Sequence, residues 1–87
     1  MKRTRIQVTR EPRNILEGIP HGTTVIVQST GKGDVFLLEG PEADPASEDD
    51  ATVLAGYPVF RIATWIVSTH PLWAWGRDVS SVLTVRW

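Results

Sequence analysis

Apolar and polar positions alternate along most of this chain, and the alternation breaks at clusters of glycine, proline and acids. In "TRIQVTR", Ile6 and Val8 fall on one side, with Arg5, Gln7 and Thr9 on the other. That is the pattern of a half-buried strand. "EPRNILEGIPHG" interrupts it. Pro12, Gly18, Pro20 and Gly22 leave room for at most one helical turn around Asn14–Glu17, whose Ile15 and Leu16 are expected to tuck the connection onto the core. "TTVIVQSTGKGDVFLLEG" then reads as a hairpin: a β-branched run over Thr23–Ser29, a turn at "STGKGD" and an apolar run over Val35–Glu39.

Residues 41–51, "PEADPASEDDA", hold two prolines and five acids and read as a loop that does not pack. "TVLAGYPVFRIATWIVST" carries one or two further strands. Within it Ala63, Trp65 and Val67 share one face and Ile62, Thr64 and Ile66 the other, while Pro58 suits a strand start or a sheet edge. "HPLWAWGRDVSSVLTVRW" makes two more, Leu72–Gly76 and Val82–Trp87, about a Gly-Arg-Asp turn. Leu83, Val85 and Trp87 face one way, Thr84 and Arg86 the other. Six to seven short strands with a turn signal every 8–12 residues predict an all-β fold. The expected architecture is a small antiparallel β-sandwich or a jelly-roll-like barrel.

Length makes this one domain, residues 1–87. A chain of this size buries only roughly 60–65% of its unfolded surface, so it often leans on a partner. The chain contains no cysteine, which removes disulfides and thiolate metal sites. No apolar run approaches the roughly 18 residues of a membrane span, and no apolar stretch follows the basic N-terminus as a secretion signal requires. The expected location is the cytoplasm of synthesis, unless the chain leaves as part of a larger particle.

Net charge is −1, but its distribution is uneven. Residues 1–13, a basic N-terminal arm, carry five bases including Lys2, Arg3 and Arg5 against the single acid Glu11. Residues 34–50 carry seven acids and no base. A near-neutral total argues against a general nucleic-acid binder. The separation of signs suits steering of one copy against another, or of the arm against a negative surface.

Candidate chemistry is sparse. "GKGD" at 31–34 lacks the spacing, the Ser or Thr and the following helix of a phosphate loop, and reads as a turn. His21 and His70 stand at strand boundaries in no ligand spacing. The acids of 44–50 lack the calcium-loop pattern and are interrupted by Pro45. Ser80 and Ser81 lie near a turn with no base placed beside them. The reading is therefore a non-enzymatic protein with neither cofactor nor metal. The tryptophans are the other candidates. Trp73 and Trp75 project from one face of one strand, about 6.6–7 Å apart, and Trp87 ends the chain. Such rings suit a core, a subunit interface or a platform for successive sugars. Leu72 and Ala74 make the strand apolar on its other face too, so a second subunit is the expected cover and a homo-oligomer the expected state.

The order of these segments resembles small all-β proteins of tailed bacteriophages and prophages. In those, a "G-T-x-x-x-V-Q-N" strand precedes a "P-L-W-A-W"-like strand and a closing "V-x-V" strand. Here the corresponding stretches are "GTTVIVQS", "PLWAW" and a closing "VLTV" whose valines are spaced V-x-x-V, within residues 14–86. Ser29 stands where the pattern has Asn, and the N-terminal arm is more basic. The resemblance implies a virion structural protein, a capsid decoration (cement) protein or a small head or tail accessory. It would be assembled in the host bacterial cytoplasm on a major capsid protein or another virion protein. Trp73, Trp75, Trp87, Lys2, Arg3 and Arg5 are the expected interface residues. Two other readings stay open: a carbohydrate-binding module for host attachment, and a small nucleic-acid-binding barrel.

Overall fold

Two β-sheets, each of four antiparallel strands, face each other across a single apolar core. The structure is a computed structural model, and it describes residues 1–43, 45–77 and 80–87. Eight strands follow in order: β1 Arg3–Gln7, β2 Arg13–Asn14, β3 Thr24–Ser29, β4 Val35–Glu39, β5 Thr52–Leu54, β6 Ile62–Ile66, β7 Leu72–Gly76 and β8 Val82–Arg86. Sheet A runs β1-β8-β3-β6, and sheet B runs β2-β7-β4-β5. The β-sandwich is thus as the alternation predicts, with one or two more strands than counted from the sequence.

The period of two decides what is buried. Val25 and Val27 of β3 and Leu83 and Val85 of β8 point inward from sheet A. Val35 and Leu37 of β4 and Leu72 and Ala74 of β7 meet them from sheet B. Ile15 and Leu16 are both buried in the same cluster, as the sequence suggests, although the segment is the two-residue β2 and a turn instead of a helical turn. Asn14 Oδ1 accepts from Leu16 N at 3.0 Å and shapes that turn.

Two expected hairpins are absent. β3 lies in sheet A and β4 in sheet B, so "STGKGD" carries the chain from one sheet to the other. β7 and β8 are likewise in different sheets. The corner is held by long-range bonds: Thr30 N to Val82 O at 2.9 Å, Gly33 N to Ser80 O at 3.2 Å and Tyr57 N to Gly31 O at 2.9 Å. Ser81, 1% exposed, donates its hydroxyl to Asp34 O at 2.8 Å. The glycines serve this crowding. A Cβ on Gly56 would stand 2.5 to 2.8 Å from the carbonyl oxygens of Gly31, Lys32 and Gly33.

The acidic segment also departs from expectation. Pro45–Asp50 forms a 3₁₀ helix between β4 and β5. Glu48 within it bridges to Arg77 at 3.2 Å, so this part of the segment is tied to the end of β7.

Candidate functional site

The strands of sheet A carry charge of one sign only. No strand of sheet A contains an acid. Its outer face carries Arg3 and Arg5 from β1 and Arg86 from β8. The pairing aligns Arg3 with Arg86 and Arg5 with Thr84. On the other flank of β8, Thr84 aligns with Gln28 and Arg86 with Ile26. The result is an open groove of about 430 Å³ lined by Arg3, Arg5, Gln28, Thr30, Thr84 and Arg86. Its polar atoms are guanidinium and amide donors and hydroxyls, with no carboxylate among them. Such a surface accepts anionic groups: arginine offers a rigid fork of donors that matches carboxylate and phosphate oxygens. The Nε of Arg86 is buried and finds no hydrogen-bond partner among the described residues.

Residues 3–7 of the expected basic arm are therefore a strand of the sandwich, fixed along β8. Lys2 pairs with Trp87: its N–H donates to Trp87 O at 2.6 Å, and Trp87 N–H donates to Lys2 O at 3.0 Å. Trp87 is half-buried and packs on the core cluster, so the closing residue is anchored by both ring and backbone. Lys2, Arg3 and Arg5 are all exposed.

Trp73 and Trp75 do share a face, but it is the outer face of sheet B, and Leu72 and Ala74 point to the core. Trp75 is nevertheless only 1% exposed. It stacks on Phe36, which β4 places opposite it, with centroids 5.8 Å apart and planes at 20°. Arg77 covers the other ring, its guanidinium carbon 5.2 Å from the Phe36 centroid. Trp73 is half-buried and donates its indole N–H to Gly40 O at 3.0 Å. The expectation that a second subunit must cover this face is corrected here: within one chain Phe36 and Trp75 are already shielded. The sequence does not contain the pairing of Phe36 with Trp75, so the internal cover could not be read from it.

Sequence reasoning missed two features. Arg86 joins Arg3 and Arg5 only through the β1–β8 register, although the alternation of "VLTVRW" already placed it opposite Leu83 and Val85. The second is a band of exposed apolar side chains, comprising Tyr57, Val59 and Phe60 before β6 and Ile62 and Ile66 on it. Tyr57 and Phe60 meet edge to face at 5.9 Å, and the Phe60 carbonyl accepts from Gln28 Nε2 at 3.2 Å, which joins this band to the basic groove.

The two histidines are exposed and line one shallow groove with Glu17. Among the described residues no three His, Asp or Glu side chains gather closely enough to hold a metal ion. Among the described residues no helix is long and apolar enough to cross a membrane. No known protein family, curated protein or solved structure matches this chain.

Proposed function

We propose that this chain is a non-enzymatic structural subunit of a bacteriophage virion. It docks the outer face of sheet A onto the head lattice as a capsid decoration protein. The observation that carries the docking reading is the groove on the outer face of sheet A, where Arg3, Arg5 and Arg86 gather with no carboxylate among the lining residues. A charged sheet face suits a protein lattice, and its exposed isoleucines add the apolar contact that holds a complex once charge has oriented it. The virion assignment itself rests on the order of "GTTVIVQS", the acidic segment, "PLWAW" and the closing strand.

A sugar-stacking module loses its main support, because it needs both Trp73 and Trp75 free and Trp75 is 1% exposed. A single-stranded nucleic-acid reading is favoured by one observation: Tyr57 and Phe60 border the arginine groove through the Gln28 bond. Rings beside a basic track are what such binding uses.

One experiment separates these readings. The chain is co-produced with the major capsid protein that this reading requires in the same genome, and particles are sedimented. Saturable co-sedimentation, lowered at least tenfold by Arg3→Glu with Arg5→Glu, is the expected result. Particles that stay bare at saturating chain overturn it. Binding of a 20-mer of single-stranded DNA instead, with a log–log salt slope of about −2 for three contacted phosphates, transfers the assignment to the nucleic-acid class.

A further inference from the structure

Strand β6 ends sheet A, and among the described residues no strand pairs with its open edge. Exposed edges are normally blunted by lysine, proline, bulges or brevity. β6 reads Ile-Ala-Thr-Trp-Ile, five residues with neither charge nor proline.

The hydrogen bonds on its inner side fix which backbone groups are open. Ser29 N donates to Arg61 O at 3.0 Å, and Val67 N donates to Thr23 O at 3.0 Å. In an antiparallel ladder such bonded pairs alternate along the strand. Odd-numbered residues thus turn their backbone toward β3, and Ile62, Thr64 and Ile66 turn theirs to the open edge. The side chains of those same three residues stand on the outer face, Ile62 at 51% and Ile66 at 62% exposure.

The strand is nearly palindromic about Thr64. We infer that β6 pairs antiparallel with β6 of a second copy of this chain, about a two-fold axis at Thr64, making one eight-stranded sheet. In that register Ile62 meets Ile66 of the partner subunit, and Thr64 meets Thr64 of the partner subunit. Every one of these residues has its N–H and C=O free to the edge, so each pair exchanges two bonds. On the inner side Ala63 meets the partner subunit's Trp65, a small residue against a large one, in both directions. A slip of one residue sets open groups against groups already bonded to β3. A slip of two sets Thr64 against isoleucine.

Charge complementarity selects a copy of the chain over any other extended segment. Alternation puts the Arg61 side chain on the side of Ala63 and Trp65. It is exposed, and among the described residues it makes no side-chain bond. In the two-fold register Arg61 lies opposite the partner subunit's Val67. Beside that position sits Glu39, whose carboxylate accepts from Trp65 Nε1 at 3.2 Å and Ser68 Oγ at 2.5 Å. A groove lined by Glu39, Thr64, Trp65 and Ile66 opens there. Symmetry repeats the Arg61–Glu39 approach at both ends of the seam. A seam of five-residue strands is small, so the association belongs to the weak, micromolar class. It places the basic strips of two copies on one continuous sheet, which multiplies docking on any repeating surface.

The cysteine-free chain permits a direct test. Thr64→Cys puts two thiols on a bonded pair with Cα atoms about 5.5 Å apart, within the roughly 4.4–6.8 Å span of a disulfide. Mild oxidation of the folded full chain should yield covalent dimer at least tenfold faster than for Thr52→Cys on β5. In sedimentation equilibrium, Arg61→Glu and Glu39→Arg should each weaken association at least tenfold, and the double variant should recover it. The proposal is overturned by equal cross-linking of Thr64→Cys and Thr52→Cys. It is equally overturned by a wild-type chain that stays monomeric to about 1 mM, or by a charge swap that restores nothing. Should Glu39→Arg not fold, Thr64→Lys sets two like charges face to face at the seam and must abolish association.

Discussion

Trp75 stacks on Phe36 at 5.8 Å on the outer face of sheet B, yet Trp75 is 1% exposed and Phe36 3%. This second apolar layer is independent of the core between the sheets. It gives an 87-residue chain a reserve of burial beyond its single sandwich core. Trp75→Ala should therefore cost about 3–5 kcal/mol, the range for deleting a buried large aromatic. Trp73→Ala, at a half-buried position, should cost about half as much. Urea midpoints of the two variants check the order, and iodide should leave unquenched only the emission that Trp75→Phe removes.

Arg77 covers Phe36 while its guanidinium bonds Glu48. The side chain is 68% exposed, so water screens the ion pair. Glu48→Gln should change stability by no more than about 0.5 kcal/mol. Arg77→Ala should cost more, about 1 kcal/mol, because it also removes the cation over the ring. Equal effects in thermal melts would mean that the ring contact contributes nothing.

The strands and their faces were legible because period two is a local property. Ile6 and Val8, Leu83 and Val85, and Ile62 and Ile66 all lie on the sides that alternation assigns. The partners of those strands were not legible. "STGKGD" has the glycines of a hairpin turn, but bonds from Val82, Ser80 and Tyr57 hold it as a corner between sheets, and those residues are 23 or more positions away. The candidate site shares this limit. Arg3 and Arg5 announce themselves by composition, while Arg86 becomes their neighbour only through the β1–β8 register. The exposure of the β6 edge follows from strand order alone, which no residue of β6 encodes.

That corner makes a sharp prediction about glycine. Gly56→Ala would drive its Cβ against three backbone carbonyls, none of which can swing aside as a side chain would. Overpacking of this kind costs about 1–3 kcal/mol. Gly18 has open space around it, but its φ is +83°, so Gly18→Ala should cost about 1 kcal/mol through backbone strain alone. Gly40→Ala has its nearest contact at 3.8 Å and no such φ, and should be close to neutral. Melting temperatures must fall in that order.

Removing Trp87 tests the anchor at the chain end. The ring is half-buried on the core cluster, and its backbone exchanges two bonds with Lys2. Loss of part of a large aromatic and of two partly exposed hydrogen bonds should cost about 2–3 kcal/mol. It should also loosen β1, the strand that carries Arg3 and Arg5. Hydrogen exchange of the Thr4 and Ile6 amides in the chain ending at Arg86 reads this directly, and unchanged protection would show that Trp87 holds nothing.

Arg3 and Arg86 stand directly opposite each other across β1 and β8, with no carboxylate on either strand to separate them. Like charges in that position destabilise a sheet by roughly 0.2–1 kcal/mol. Structure alone gives no return for this repulsion, so the expected return is an anionic partner that neutralises both. In the isolated protein, Arg3→Thr should raise stability by a few tenths of a kcal/mol at low salt. Because Arg3 is exposed and Arg86 only half-buried, about 0.5 M salt should shrink the difference. The same substitution should weaken particle binding in the sedimentation assay. A variant that is more stable and binds less well marks a charge kept for contact. A variant that is less stable at low salt would mean that Arg3 packs through its stem and that the face has another purpose.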